Sequence, residues 1–238
     1  MVNYPHHWKT VTFESVFSEP SRSGVDRPTK VRGTGYKMVN MGELFAFDRI
    51  NDQDMELVPM TTDDLKKYGL QSGDLVFARQ SIVVEGAGKC SIVENISSPT
   101  TFEGHIIRVR LNKEIADPKF FYHFISSEFG RHKIRTIVVF LTVAGIRGSE
   151  LGKLKFPLPP LSEQRKIAQI LNTWDKAIEL VGKKIEAKRQ LKKGLMQQLL
   201  TGKLRFPGFV VEWRLVKLGE IFLERKENDR SLDLLSIT

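Results

Sequence analysis

Glycines placed just ahead of a lysine can expose backbone N–H groups to a phosphate, and Glu85-Gly86-Ala87-Gly88-Lys89 has that look. The spacing does not complete the loop. Val83 stands where the first glycine is required, and Cys90 stands where a serine or threonine would meet magnesium. Glu186-Ala187-Lys188 resembles a fragment of a nuclease signature, but no acidic partner precedes it in a strand. The five histidines and the single cysteine show no metal-ligand spacing. There is no Gly-x-Ser-x-Gly elbow, and no Asn-Pro-Pro-Tyr-like segment to hold an adenine for methyl transfer. These residues describe a binding protein, without a resident cofactor or metal, rather than an enzyme.

The residues suited to binding are basic. Residues 21–35 form one expected surface loop and supply Lys30 and Arg32. A second runs from Arg79-Gln80 to Lys89, and Arg131, Lys133, Arg135 and Arg147 follow. Arginine and glutamine at a strand end can read guanine and adenine edges, whereas lysine suits phosphate contact. The alternative for each is an ordinary surface charge. Net charge is +3 over residues 1–161, +7 over 162–205 and −1 over 206–238, giving the chain's +9. A polyanion is one natural partner of that central excess. A solvated helix face or a partner protein's acidic groove is the other.

The elements that must position these residues are of two kinds. Residues 1–156 read as a mixed α and β domain. Gly73 to Arg79 is a turn entering a strand; Cys90 to Val93 and His105 to Leu111 are further strands. Asp63 to Tyr68 is a short helix broken at Gly69. Asp117-Pro118 opens a helix whose buried face holds Phe120, Phe121, Phe124 and Ile125. Then Pro157-Leu158-Pro159-Pro160 forms a stiff hinge, with Ser162 as the expected N-cap of a long helix and Glu163 in its first turn. No proline interrupts the chain from there to Thr201-Gly202, which gives a rod of about 60 Å at ~1.5 Å per residue. Ile167, Leu171, Trp174, Ile178, Val181 and Ile185 follow a coiled-coil spacing; Leu191, Leu195 and Leu199 resume it after Lys188-Arg189. The rod is therefore expected to dimerise along this seam, the alternative being an amphipathic helix lying on its own domain. The fold class is α+β, with a domain over 1–156, a hinge and dimerisation helix over 157–205, and the start of a second domain copy over 206–238.

That last reading comes from a repeat. Residues 8–19 align with 213–224 without a gap, at an offset of 205. Trp8, Val11, Phe17 and Glu19 recur as Trp213, Val216, Phe222 and Glu224. Cys90 is expected to be a small buried side chain in a reducing compartment. No apolar run approaches the length of a membrane span, and the amino-terminal residues lack a signal-peptide pattern, so a cytoplasmic protein is expected.

The hinge Pro157 to Ile167, the basic heptad helix and Leu199-Leu200-Thr201-Gly202-Lys203-Leu204-Arg205-Phe206-Pro207-Gly208-Phe209 together resemble the central region of type I restriction-modification specificity subunits. Gly73 to Arg79 and Gly145-Ile146-Arg147-Gly148-Ser149-Glu150-Leu151 look like parts of that family's target-recognition domain. The resemblance is specific over 145–209 and loose over 20–140. It departs in one respect: a full subunit of the family carries two recognition domains and two helices, and this chain shows one of each. The resemblance implies a non-catalytic, sequence-specific reader of double-stranded DNA. An antiparallel homodimer would rebuild the two-domain object and read an interrupted palindrome. It implies modification (methyltransferase) subunits using S-adenosylmethionine and a restriction (motor and nuclease) subunit using ATP and magnesium, with neither cofactor bound by this chain. A coiled-coil interaction module and a defective fragment with no reading role are the alternatives.

Overall fold

The computed structural model describes residues 4–140 and 142–221. In chain order, β1 is Lys9–Thr12, β2 Arg22–Ser23, β3 Tyr36–Val39, α1 Met41–Ala46, β4 Arg49–Ile50, β5 Leu57–Val58 and α2 Thr62–Tyr68. Then come β6 Leu75–Ala78, β7 Gln80–Ser81, β8 Cys90–Val93, β9 Thr100–Phe102, β10 Ile106–Val109, α3 Pro118–Ser126 and α4 Glu128–Arg135. β11 Val139–Phe140, β12 Ala144–Gly145, α5 Gly148–Lys153, β13 Lys155–Leu158, α6 Leu161–Leu199 and α7 Leu218–Ile221 complete the order. Contacts group the chain into two compact units that divide between Ala177 and Ile178. An α+β domain followed by one long helix is the expected class.

The first unit is built on a five-stranded sheet of order β2-β10-β6-β8-β4. Strand β6 explains why. All four of its residues are buried; Leu75 and Phe77 enter one apolar cluster, while Val76 and Ala78 enter another. A strand covered on both faces reads as a continuous apolar run, which is the run seen from Leu75 to Ala78. Phe13, Phe121 and Phe156, all fully buried, fill the first cluster with stacked, tilted and edge-on ring contacts. Helix α3 begins as expected: the Asp117 carboxylate accepts the Phe120 N–H at 3.0 Å, and Phe120, Phe121 and Ile125 are buried.

The proline segment differs from a free hinge. Pro157 and Leu158 belong to β13, which pairs antiparallel with β1, and Pro157 and Pro159 are buried. A proline is tolerated there because the ladder has only two strands. Helix α6 starts at Leu161, two residues earlier than an N-cap at Ser162 implies. The Pro160 carbonyl accepts the Gln164 N–H at 3.0 Å, so Ser162 lies inside the first turn rather than at its cap.

The base of α6 is fastened to the first unit. Gln164 is fully buried; its amide nitrogen donates to the carbonyls of Pro159 and Ile115, and its oxygen accepts the Asp117 N–H at 2.8 Å. Arg49 donates to Glu94 at 2.5 Å, to Asn172 at 2.7 Å and to Asp175 at 2.6 Å, and its guanidinium lies over the Tyr122 ring. Burial opposes the Arg49 charge, but hydrogen bonds to Glu94 and Asp175 outweigh it and raise the Arg49 pKa.

The second unit contains the rest of α6 and the short helix α7. Leu218–Ile221 falls at the repeat offset of 205 from the 3-10 turn Phe13–Val16, so one helical turn recurs where the sequence repeat puts it. Residues 214–217, the counterpart of β1, have no strand pairing among the described residues. Phe222 and Glu224 of the repeat lie outside those residues.

Candidate nucleic-acid interface

Strand β6 delivers Arg79 and Gln80 to one edge of the first unit. The Arg79 backbone is fixed on both sides. Its N–H donates to the His105 carbonyl at 2.8 Å, and its carbonyl accepts the Ile146 N–H at 2.9 Å. Its side chain is exposed, with one long bond of 3.4 Å to the Gly104 carbonyl. Gln80 begins β7, which lies in a three-stranded sheet of order β11-β12-β7. The same sheet brings up the segment ending in the exposed Arg147. Three candidate readers, separated by more than sixty positions in sequence, therefore share one edge.

Two other candidates have internal partners. Lys89 donates to the Leu44 and Phe47 carbonyls at the end of α1, at 2.5 and 3.2 Å, and pairs with Asp48 at 3.2 Å. Arg131 on α4 donates to the carbonyls of Glu85, Ala87 and Gly88 at 2.6, 3.0 and 2.6 Å. Burial, reinforced by the nearby Arg135, lowers the Arg131 pKa. The segment expected as an exposed loop is thus partly interior: Gly86, Ala87 and Gly88 are buried. Gly88 has φ +67°, and a Cβ there would drive into the Ile134 methyl of α4. Gly88 thus serves the close approach of α4 to the loop, and Gly86 the close approach of Ser81, where a Cβ would collide with the Ser81 hydroxyl.

Lys30 is exposed in the turn Thr29–Val31, beside the sheet of order β5-β3-β9 rather than the Arg79 edge. Arg32 is half-buried and engaged, donating to Glu56 at 2.7 Å and to the Arg27 carbonyl at 2.7 Å. Residues 21–35 are accordingly only partly a free loop, since Val25 is buried and Arg27 is paired with Asp64. Lys133 is half-buried on α4.

Sequence reasoning missed Arg49 and the exposed apolar residues of the β7 and β11 region. Asn172 and Asp175, one turn apart on α6, were the available signal, since a polar pair beside an apolar seam invites a partner.

Of the seam residues, Ile167 and Leu199 are half-buried; the others lie in solvent. Ile178 is 69% exposed, Val181 56% and Ile185 49%. Leu171, Trp174 and Leu195 are exposed as well. Cys90 is buried, and burial raises its thiol pKa, which fits a small core side chain. Among the described residues no group of three or more His, Cys, Asp or Glu could hold a metal ion, and no helix is long and apolar enough to cross a membrane.

Comparison with known proteins adds the following. The family model described as type I restriction modification DNA specificity domain matches residues 5–189. The MjaVIII specificity subunit of Methanocaldococcus jannaschii is 31% identical over 204 residues, covering 84% of this chain and 47% of that protein. The EcoKI specificity subunit of Escherichia coli K12 is 24% identical, covering 88% and 45%. The crystal structure of an S subunit from M. genitalium superposes with TM-score 0.58 at 17% identity, covering 84% of this chain and 48% of that one. The chain spans about half the length of the curated relatives it matches.

Proposed function

This chain belongs to the type I restriction-modification DNA specificity family, and from that premise we propose that it is a non-catalytic subunit reading a specific DNA sequence. Each globular domain docks on one half-site. Two chains pair α6 antiparallel and hold two such domains a fixed distance apart. A two-fold dimer reads two identical half-sites, hence an interrupted palindrome. A 39-residue helix is about 58 Å long at ~1.5 Å per residue, which suits half-sites one to two helical turns apart.

The observation that carries this reading is the solvent-exposed seam from Leu171 through Ile185. Burying an isoleucine, valine or leucine fully is worth roughly 1.5–3 kcal/mol, so a row of them in solvent favours a partner helix strongly. At the Arg79 edge, Arg79, Gln80 and Arg147 contact bases, with Lys133 on the phosphate backbone; Lys30, beside the β5-β3-β9 sheet, meets phosphates away from that edge. Lys89, Arg131 and Arg32 act from behind, holding the backbone that presents those readers. The chain directs methyltransferase and restriction subunits in the cytoplasm, and S-adenosylmethionine, ATP and magnesium bind on those subunits.

Light scattering tests the pairing. The expected mass is near twice 27.2 kDa, falling to 27.2 kDa for Ile178→Lys. A wild-type monomer at micromolar concentration overturns the two-chain arrangement. Co-expression with a methyltransferase subunit tests the reading: mapped methyladenines are expected in one interrupted palindrome, and an unchanged methylome refutes it.

A further inference from the structure

The sheet β11-β12-β7 and the turn that leaves β7 carry apolar side chains in solvent. Ile82 is 86% exposed, Val139 60% and Phe140 56%. Pairing places Val139 opposite Gly145, and Gly145 opposite Gln80. Residues directly opposite in antiparallel strands point to the same face. Val139 and Gln80 therefore share a face, and Gly145 leaves no side chain between them. Their backbones are two strand spacings apart, roughly 9–10 Å, which fits within the ~12 Å width of a DNA major groove.

The surroundings favour a polyanion over a protein as the occupant. Residues 79–84 and 139–147 contain no acidic side chain, and the charge of Glu85, in the turn that follows β7, is met by the nearby Arg131. Arg79 and Arg147 flank the row, held together through the Ile146 N–H on the Arg79 carbonyl. Guanidinium groups flanking an apolar spot suit the neighbouring base edges of the groove, which arginine reads directly. The adenine edge offers N6 and N7 to a glutamine amide, and thymine alone presents a methyl group to an apolar side chain.

The geometry points to this row as a reader of A·T sequence, Gln80 taking the adenine edge and Val139 packing on a thymine methyl in the same or the adjoining pair. This rests on the DNA-reading proposal and adds which bases one domain selects. Val139 supplies specificity through contact and plays no part in dimer formation.

The test uses the full-length chain and a half-site selected from randomised duplexes. Each thymine in that site is replaced in turn by uracil, which keeps the base pair and removes only the methyl. One position is expected where uracil weakens wild-type binding about fourfold, the worth of one buried methyl group. In Val139→Ala that position is expected to become indifferent to the methyl, while selection of the neighbouring adenine persists. In Gln80→Ala the adenine preference relaxes instead. Val139 is exposed, so Val139→Ala should fold normally, which an unchanged thermal melt verifies. The proposal is overturned if no thymine methyl matters, or if its effect survives in Val139→Ala. It is equally overturned if Val139→Ala leaves DNA selection intact and abolishes association with a methyltransferase subunit. If wild-type chain selects no sequence at all, the reading function itself has failed, an outcome distinct from selection that ignores the methyl.

Discussion

Replacing Arg49 with methionine keeps an unbranched, flexible stem and removes the guanidinium and its charge. Three hydrogen bonds disappear, two of them to carboxylates. The Glu94 side chain is 13% exposed and the Asp175 side chain 40%. Breaking a buried ion pair on one side costs about 3–5 kcal/mol. Here two circumstances reduce that figure. Glu94 keeps a second cation, Lys119 at 3.0 Å, and Asp175 can be rehydrated. A loss of about 2–3 kcal/mol follows, with part of the cation–π contact to Tyr122 included. For a unit of this size each kcal/mol moves the melting temperature by roughly 2–4 °C, so Arg49→Met should melt about 4–12 °C lower. Arg49→Lys can reach only one acceptor set and should fall in between. Hydrogen exchange should quicken over residues 161–177 before the central sheet opens. A melting shift below about 1 °C, or equal exchange in the sheet and the helix base, would refute the clamp.

Two further outcomes are expected. Burial opposes ionisation of Glu94, but Lys119 and Arg49 outweigh it and hold its pKa below the usual carboxylate range. Its contribution is therefore present above the ordinary value near 4.5 and is lost as pH falls through the lowered one. Urea midpoints should show that acid loss in wild type and a shallower one in Glu94→Gln. Gly88→Ala combines a φ of +67° with a collision against Ile134, and should cost more than about 1 kcal/mol by urea titration. An unchanged midpoint would refute the close approach of α4 to the loop.

Some of this was legible in the sequence. Strand β8 matches the expected Cys90 to Val93, α2 stops before Gly69 as expected but starts one residue earlier than Asp63, and α3 opens at Asp117-Pro118 as expected. Continuous apolar runs and capping residues are local signals. The long helix was legible for the same reason. The pairs of residues that form β2, β4, β5, β7, β11 and β12 were not, because two residues show no period. Charge placement was also opaque. Arg79, Lys89 and Arg131 look alike in sequence, yet one lies exposed and two are spent on carbonyls contributed by distant segments. Which arginine stays available depends on pairings between segments far apart in the chain, as at Arg49 and Asp175, and composition carries no trace of them.

The pairing of β1 with β13 sets a schedule for biosynthesis. Lys9 leaves the ribosome well before its partner Leu158, with most of that unit made in between. At ~5–20 residues per second, the first strand waits roughly 7–30 s for its neighbour. During that interval Val11 and Phe13 lack their final packing, and a chaperone could hold them. Closure of this ladder follows synthesis of the segments between its two strands and fixes the stretch that leads directly into α6.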